Sequence, residues 1–400
     1  MSQNAAQWHG LCFGFEDERD RWELPKTAVD SSITARHGYD SMTASEYVDT
    51  DEVLRAKAAA LARLLAAARR CVLFTGAGLS TAAGVADYAS QAAESLSGVG
   101  GHVAAPMSPF LAQPTHAHHV LVALCKAGRV YRWIQQNHDG LPQKAGLPQE
   151  LINEVHGSWF SPDNPVVPMS GSLPEVLFRD MVACAETADL SVAVGTSVCG
   201  LNADRVVTCP AAAAARGEAL GAVIVGLQRT VHDGEATLRV FGRCDDFFRV
   251  VAEVMHLEVP PPLGRGEYFV PPCLRGVPED GLVFRGLPYD AAGRRSPDMK
   301  LTLDLREDAE LVITNGVHAG AQGEVHRYDT ERNLDCRFKL KPENPRMKLR
   351  AFVALKLGRW WIQAAVDGAV PVLPVVNKPS ECTAENGGLH LQGLMEVYSK

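Results

Sequence analysis

The sequence predicts an α/β protein in which a doubly wound parallel sheet is followed by a smaller antiparallel β-rich domain. Two observations support this fold class. Between residues 51 and 258, short apolar runs alternate with amphipathic helical segments, which is typical of parallel strands joined by crossover helices. Beyond residue 283, apolar and polar residues alternate with a period of two and helix signals are few, which is typical of antiparallel strands.

The elements of the parallel-sheet part follow one another in a regular order. The first is a helix over 51–70, because Leu54, Leu61 and Leu65 share one face and Arg69–Arg70 lie at its end. The pattern then predicts a strand over 71–74, a helix over 119–130 that stops at Gly128, a strand over 130–137, a helix over 173–188, strands over 189–197 and 222–228, and a strand with a closing helix over 238–257. The β-rich part is predicted to contain strands over 301–308, 309–317, 334–341 and 347–366.

Shifts in composition predict how the chain is organised. Residues 1–50 are polar with interspersed aromatic side chains, which indicates an N-terminal arm that needs a surface to lie on. Residues 51–258 form the predicted parallel-sheet domain, and the Pro- and Gly-rich stretch 259–282 forms a linker. Residues 283–400 form the β-rich C-terminal domain.

Composition and charge restrict the function classes. The chain has 400 residues and a formal net charge of −8, which argues against direct nucleic-acid binding through a general basic field. No apolar run is long enough for a transmembrane helix, and the start has no charged-then-apolar leader. The ten cysteines are scattered and form no C-x-x-C pair, so we expect reduced, mostly buried thiols and no zinc ribbon. We therefore expect a soluble intracellular protein and no membrane partner, with the compartment left open.

A glycine turn directly after a buried strand is the main functional signal. The segment TGAGLS follows the apolar run CVLF at residues 71–74, and glycines at such a turn let backbone N–H groups approach a phosphate closely. A polar segment, QQNHDG, covers residues 135–140, and His156 stands alone in EVHGSWF. Together these segments predict a site for a nucleotide and for polar chemistry. An ordinary turn between strand and helix remains the alternative for the glycine segment.

These segments resemble those of the sirtuins, the NAD-dependent protein deacylases, and the class IV branch in particular. The resemblance covers residues 46–260, about half of the chain. FTGAGLSTAAGVADYAS is similar to the family pattern GAGxSxxxGIPDFR, and QQNHDGLPQKAGLP with EVHGSWF is similar to QNxDGLHxRSGLP with ELHGN. GTS, VIVGLQRT and GRCDDFF match later nucleotide-contact segments in the same order. The resemblance implies a Rossmann-like fold and NAD as cofactor.

The family chemistry implies a role for each matching residue. His156 matches the histidine that accepts a proton from a ribose hydroxyl of NAD, a general-base task that suits the pKa of imidazole. Asn137 and Asp139 match the polar pair of the nicotinamide pocket, which makes these three the implied catalytic residues. The implied cofactor contacts are Gly76, Ala77, Gly78, Ser80, Asp87, Gln136, Gly195, Thr196, Ser197, Cys244 and Asp245.

The sequence departs from the family pattern at two cofactor anchors. Ala89 replaces the arginine of the DFR segment, and Gly226 replaces the asparagine of VIVNLQ. The first change removes a cation from an anionic cofactor, a contact typically worth ~1.5–3 kcal/mol. If both changes remove a contact with NAD, its affinity falls by roughly a hundredfold or more, because about 1.4 kcal/mol of binding free energy corresponds to a tenfold change in affinity.

The region after His156 departs further. Sirtuins place two C-x-x-C pairs there to hold zinc, but no cysteine follows His156 before Cys184. The strand edge that binds the substrate peptide in the family is also changed, because Pro168 cannot donate a backbone hydrogen bond and 169–171 differ from the pattern. We therefore expect no metal site and no bound zinc.

These features leave two functional hypotheses. The first is a degenerate sirtuin that retains weakened NAD binding and serves as a structural or adaptor subunit with other protein partners. The alternative is an active enzyme, either an NAD-dependent protein-lysine deacylase acting on an acylated protein or an NAD glycohydrolase, with His156 as the general base.

Overall fold

The fold was analysed in a computed structural model of the chain. The structure describes residues 2–35, 42–85, 95–96, 112–158, 164, 166–167, 172–199, 201–260, 282–315, 318–328, 334–339, 352–357 and 372–379. The chain divides into two compact units, Met1–Pro271 and Pro272–Lys400. None of the helices in the described ranges combines the length and the apolar composition needed to cross a bilayer.

The first unit is built on a parallel sheet of six strands in the order β5-β4-β3-β6-β7-β8. Its strands are β3 Cys71–Thr75, β4 Arg132–Gln135, β5 Ile152–Glu154, β6 Leu190–Val194, β7 Gly221–Gly226 and β8 Leu238–Phe241. Its helices are α1 Ser2–His9, α2 Glu16–Arg19, α3 Asp51–Ala67, α4 His116–Lys126, α5 Leu141–Lys144, α6 Glu175–Thr187, α7 Arg205–Ala215 and α8 Cys244–Val254. The fold class predicted for this part is confirmed.

Helices cover both faces of this sheet. Alternate side chains of a strand point to opposite faces, and β3 shows the result. Cys71 and Leu73 pack into one apolar core with α3, α4 and α8, whereas Val72 and Phe74 pack into a second core with α6 and α7. Strands buried on both faces explain why the sequence shows continuous apolar runs here instead of alternation.

The predicted elements of this unit are present, with ends that shift by a few residues. One strand of the parallel sheet, β5, was not predicted, and neither were β1 Lys26–Val29 and β2 Glu46–Val48 in the N-terminal segment. Strand β5 has only three residues, and its sequence INE contains too little apolar signal to stand out from a loop. Because β5 pairs with β4 and ends just before His156, it is the element that brings His156 to the same edge of the sheet as the other site segments.

The N-terminal segment lies on the edge of the chain's own sheet. Leu11 N donates to Ala236 O at 2.8 Å and Cys12 N donates to Thr237 O at 2.7 Å, beside the start of β8. Within this segment, β1 and β2 form an antiparallel pair. The surface that this segment was expected to need is therefore provided within the described part of the same unit.

Two buried ion pairs lie near the same edge. Lys57 Nζ contacts Asp49 Oδ2 at 2.7 Å, and Arg239 Nε contacts Asp233 Oδ1 at 2.7 Å. Asp49 also accepts a hydrogen bond from Phe241 N at 2.8 Å. Paired and hydrogen-bonded charges of this kind tolerate burial, whereas loss of one partner would leave the other uncompensated.

The second unit is antiparallel. A five-stranded sheet has the order β14-β13-β12-β11-β15, and β9 pairs with β10 in a two-stranded sheet. The strands are β9 Val283–Leu287, β10 Leu301–Asp304, β11 Glu310–Ile313, β12 Gln322–Tyr328, β13 Leu334–Lys339, β14 Phe352–Leu357 and β15 Val375–Asn377. The predicted antiparallel β-rich class is confirmed, although the strand predicted over 309–317 is shorter and that over 347–366 lies partly outside the described residues.

Candidate functional site

The candidate site is the carboxyl edge of the parallel sheet. In a parallel sheet the loops after the strands meet at one edge, where ligands of doubly wound proteins bind. The glycine turn follows β3, the QQNHDG segment follows β4, His156 follows β5, and the GTS segment follows β6. The structure therefore brings the loops that carry the sequence-predicted residues to a common edge.

The glycine turn after β3 packs closely on the loop after β6. Gly78 N donates to Gly195 O at 2.8 Å. Gly195 has a φ of +60°, and a Cβ there would lie 2.2 Å from Leu79 N. A Cβ at Gly76 would lie 2.8 Å from the Cβ of Thr196. The contact between the two loops is thus a sufficient reason for these glycines, and their approach to a phosphate stays a prediction.

Three of the predicted residues form a buried polar cluster beneath this turn. Ser80 Oγ donates to Asp139 Oδ2 at 2.6 Å. Asn137 Nδ2 lies 3.1 Å from Ser80 Oγ and 3.0 Å from Gly76 O, and it donates to both. Ser80 and Asp139 are each 1% exposed and Asn137 is 9% exposed. The cluster ties the end of β3 to the end of β4 through side chains and holds its polar groups in fixed positions.

Asp139 is a buried carboxylate held by neutral donors. Burial raises its pKa, while the hydrogen bonds from Ser80 and from Leu141 N lower it. The Leu141 N bond to Oδ1 is 3.0 Å long. Nearby, burial lowers the pKa of Lys144 to about 8 although the charge of Asp139 raises it, and Lys144 Nζ donates to Ala112 O at 3.1 Å. The net direction for Asp139 is a raised pKa, because burial disfavours the charged carboxylate more than these hydrogen bonds and the charge of Lys144 favour it.

Gln136 links the loop after β4 to the loop after β6. Its Nε2 donates to Thr196 Oγ1 at 2.9 Å, and its backbone N donates to Thr75 O at 3.0 Å. Thr196 Oγ1 also accepts from Val198 N at 3.2 Å, which shapes the loop around the half-buried Ser197. Gln136 and Thr196 therefore form a hydrogen-bonded rim beside the glycine turn, and Ser197 follows Thr196 in the same loop.

His156 lies in a tight turn at the end of β5. Gly157 N donates to Glu154 O at 2.8 Å, which closes the turn around His156, and Val167 N donates to His156 O at 2.9 Å. The His156 side chain is half-buried. A residue that the sequence interpretation missed also contacts this turn: His138 Nδ1 lies 2.8 Å from Gly157 O. Its signal was its position between Asn137 and Asp139.

Cys244 and Asp245 begin α8 and face the start of α4. Asp245 Oδ1 accepts a hydrogen bond from Ala117 N at 2.7 Å, so this carboxylate satisfies an N–H group in the first turn of α4. Cys244 Sγ lies 3.9 Å from Gly78 O, and burial raises the pKa of its thiol to about 12. Both residues thus have structural partners, and their predicted contact with adenine remains a prediction.

Some predicted features lie outside the described residues. These are the cofactor residue Asp87, the substituted Ala89, and the altered strand edge at 168–171. Gly226 is described, and it ends β7 beside open space, because a Cβ there meets no heavy atom within 4 Å. Within the described ranges, no group of three or more His, Cys, Asp or Glu side chains is arranged to hold a metal ion.

The residues present fit a dinucleotide better than they fit zinc. The open space at Gly226 and the preformed hydrogen-bonding groups of Ser80, Asn137 and Asp139 suit a polar organic cofactor. Zinc of the family type needs four thiolates, and the sequence has no cysteine between His156 and Cys184. The eight cysteines that the structure describes are free thiols.

Comparison with known proteins finds similarity to sirtuins. A model of the Sir2 family matches residues 102–163. Deacetylase SRT1 of Oryza sativa subsp. indica is 28% identical over an alignment of 267 residues that covers 57% of this chain and 54% of that protein. Sirtuin-7 of Homo sapiens is 29% identical over 54% of this chain and 64% of that protein. Sirt6 of Drosophila melanogaster is 37% identical over 29% of this chain and 37% of that protein.

Solved sirtuin structures are similar as well. One from work on sirtuin substrate affinity is 24% identical with a TM-score of 0.40, covering 50% of this chain and 98% of that one. A complex of Sir2 with a p53 peptide and NAD+ is 24% identical with a TM-score of 0.39, covering 48% of this chain and 96% of that one.

The parallel sheet and the polar cluster at its carboxyl edge define a doubly wound α/β protein with a polar candidate site. Residues 102–163 match the Sir2 family, and the curated relatives that the chain resembles are sirtuins named as NAD-dependent protein deacetylases. The chain spans about half the length of the plant relatives that it matches.

Proposed function

We propose that the first unit binds NAD at the carboxyl edge of its sheet, with an affinity weakened by the loss of two anchors. The observation that supports this proposal is the buried cluster of Ser80, Asn137 and Asp139. These polar groups are fixed by hydrogen bonds of 2.6 and 3.1 Å before any ligand is bound. A preorganised cluster of this kind costs little ordering entropy on binding, which favours retention of the cofactor.

The residues of the cluster suit the nicotinamide end of NAD. Bound NAD would supply a cationic nicotinamide ring that can leave from the ribose. Asp139 would place a carboxyl group there whose two oxygens are fixed, because Ser80 Oγ donates to one and Leu141 N donates to the other. Asn137, held on Gly76 O, contributes an amide next to this carboxylate. His156, half-buried at the end of β5, would accept a proton from a ribose hydroxyl.

The opposite end of the cofactor is expected to be bound less firmly. Gly226 places no side chain in the open space at the end of β7. A lost neutral hydrogen bond there would reduce affinity by about 0.5–1.5 kcal/mol, and the missing cation at Ala89 by about 1.5–3 kcal/mol. These losses favour a degenerate sirtuin with residual NAD binding, acting as a structural or adaptor subunit among other proteins.

An active enzyme is the second candidate, because the cluster and the His156 turn are both formed. An NAD glycohydrolase needs no peptide, whereas a protein-lysine deacylase needs an acylated substrate. The missing thiol pairs and the altered residues 168–171 weaken the case for the second activity. Either activity would require His156 as the base.

Isothermal titration with NAD tests the binding proposal. The full chain is expected to bind, and Asn137→Ala is expected to weaken binding by about tenfold, the effect of one lost hydrogen bond that leaves partners unsatisfied. Asn377→Ala is the matched control, because this asparagine bonds to Asp304 O in the second unit. Absence of binding heat in pure folded protein, at NAD concentrations up to the millimolar range, would contradict the proposal.

Nicotinamide release separates the two candidates. It is measured on the full chain with NAD alone and with an acetylated lysine peptide. Release that disappears in His156→Ala supports an enzyme, and dependence on the peptide distinguishes a deacylase from a glycohydrolase. NAD binding without release in either assay supports the degenerate, structural role.

A further inference from the structure

His138 connects two loops of the candidate site. It stands between Asn137 and Asp139, immediately after β4, and its imidazole is half-buried. Its Nδ1 lies 2.8 Å from Gly157 O, the carbonyl of the residue that follows His156. A side chain of the loop after β4 therefore holds the backbone of the turn after β5.

The direction of this hydrogen bond follows from its partner. A carbonyl oxygen can only accept, so Nδ1 carries the hydrogen and His138 donates. Burial lowers the pKa of His138, while the Gly157 hydrogen bond and the charge of Asp139 raise it. The net lowering keeps the ring neutral at pH 7, so the bond does not depend on a protonated imidazole.

The turn that His138 holds needs such support. Gly157 has a φ of +86°, a region that glycine enters and leaves without steric cost. Gly157 N donates to Glu154 O at 2.8 Å, and Val167 N donates to His156 O at 2.9 Å. With the bond from His138, three hydrogen bonds fix the two peptide groups on either side of Gly157, the first of which joins Gly157 to His156.

We propose that His138 is a positioning residue for His156, acting through the hydrogen bond from its Nδ1 to the Gly157 carbonyl. This inference rests on the proposed function, because positioning of His156 matters for chemistry only if NAD is bound there. Without the bond, the Gly157 peptide can rotate and the turn that carries the base loses its fixed geometry. A misplaced base lowers the rate of proton transfer more than it lowers binding.

Hydrogen exchange tests the structural part without requiring any activity. His138→Leu removes the donor, whereas His138→Asn keeps an N–H donor near the position of Nδ1. We expect the amides of Gly157 and Val167 to exchange about tenfold faster in His138→Leu, and at nearly the wild-type rate in His138→Asn. The amides of β6 are the internal control. His326→Leu, at a half-buried histidine on β12 of the second unit, is the matched control variant.

Kinetics test the positioning role itself. If nicotinamide release is measurable, His138→Leu should lower kcat by about tenfold with little change in KM, and His138→Asn should restore it. Unchanged exchange in His138→Leu, or equal acceleration in both variants, overturns the inference. If the wild-type chain releases no nicotinamide, the enzymatic candidate fails, and the exchange experiment still decides whether His138 holds the turn.

Discussion

Gly195 and Gly226 stand at the ends of neighbouring strands of the parallel sheet, but the structure constrains them in opposite ways. Gly195 has a φ of +60°, and a Cβ there would lie 2.2 Å from Leu79 N and 2.5 Å from Gly78 C. At Gly226 a Cβ would meet no heavy atom within 4 Å. The first glycine is required by the approach of two loops, whereas the second leaves a space that a side chain could fill.

This difference separates two kinds of glycine in a candidate site. A glycine under steric constraint belongs to the architecture, and its presence says little about a ligand. A glycine beside open space marks a place where the chain lacks a side chain that the family pattern has. By this criterion the glycine turn after β3 indicates an intact scaffold, and Gly226 is a position where the proposed weakening of NAD binding would arise.

Gly195→Ala is expected to give the largest effect. The variant forces a left-handed conformation on alanine, at about 1–3 kcal/mol, and adds a methyl group against backbone, at about 1–3 kcal/mol. The free energy of unfolding should therefore fall by roughly 3 kcal/mol or more, as measured by urea denaturation. A loss below about 1 kcal/mol would mean that the loops separate easily and that the comparison with Gly226 fails.

Asp139→Asn should have different effects on NAD affinity and on the free energy of unfolding. Loss of the carboxylate is expected to weaken NAD binding by about 10–100-fold, because hydrogen bonds to charged groups contribute about 1.5–3 kcal/mol. The free energy of unfolding at pH 7 should stay equal or rise by up to about 1 kcal/mol, because burial raises the pKa of Asp139 and the folded state disfavours its charge.

The pH dependence of this variant follows from the same shift. A raised pKa in the folded state means that wild-type stability increases as the pH falls and Asp139 takes up a proton. The advantage of Asp139→Asn should therefore shrink between pH 7 and pH 4, in urea titrations at each pH. Asp49→Asn is a contrasting control, because Asp49 contacts Lys57 at 2.7 Å and its loss should destabilise the fold strongly.

Most of the scaffold was accessible from the sequence because its signals are local. Apolar runs such as 71–74 and 222–228 are buried on both faces. The amphipathic helix over 51–70 has acidic residues at its start and Arg69–Arg70 at its end. β5 was missed because three residues carry too little pattern. The docking of the N-terminal segment on Ala236 and Thr237 depends on contacts far apart in the sequence, which no local pattern contains.

Site residues could be predicted from the sequence only where a family motif matches them. Resemblance indicated Ser80, Asn137 and Asp139, but it could not reveal that Ser80 Oγ joins the other two. The resemblance also could not show that a side chain is sterically excluded at Gly195 and has room at Gly226. That distinction depends on atoms of another loop. His138 went unnoticed because its partner, the Gly157 carbonyl, is a backbone group nineteen residues away.

Gly226→Asn is expected to give the smallest change, and it is a gain. An asparagine restores the side chain that the family pattern has, so NAD affinity should rise by about 2–10-fold, the effect of one neutral hydrogen bond, in isothermal titration. Gly226→Ala is the matched control. It should raise the free energy of unfolding by about 0.4–1 kcal/mol by restricting the unfolded chain, and it should leave NAD affinity unchanged. An equal gain in affinity for both variants would mean that a stiffer strand end, and no new hydrogen bond, improves binding. A loss of stability in Gly226→Ala would show that the space at the end of β7 is not open in solution, and the contrast with Gly195 would then disappear.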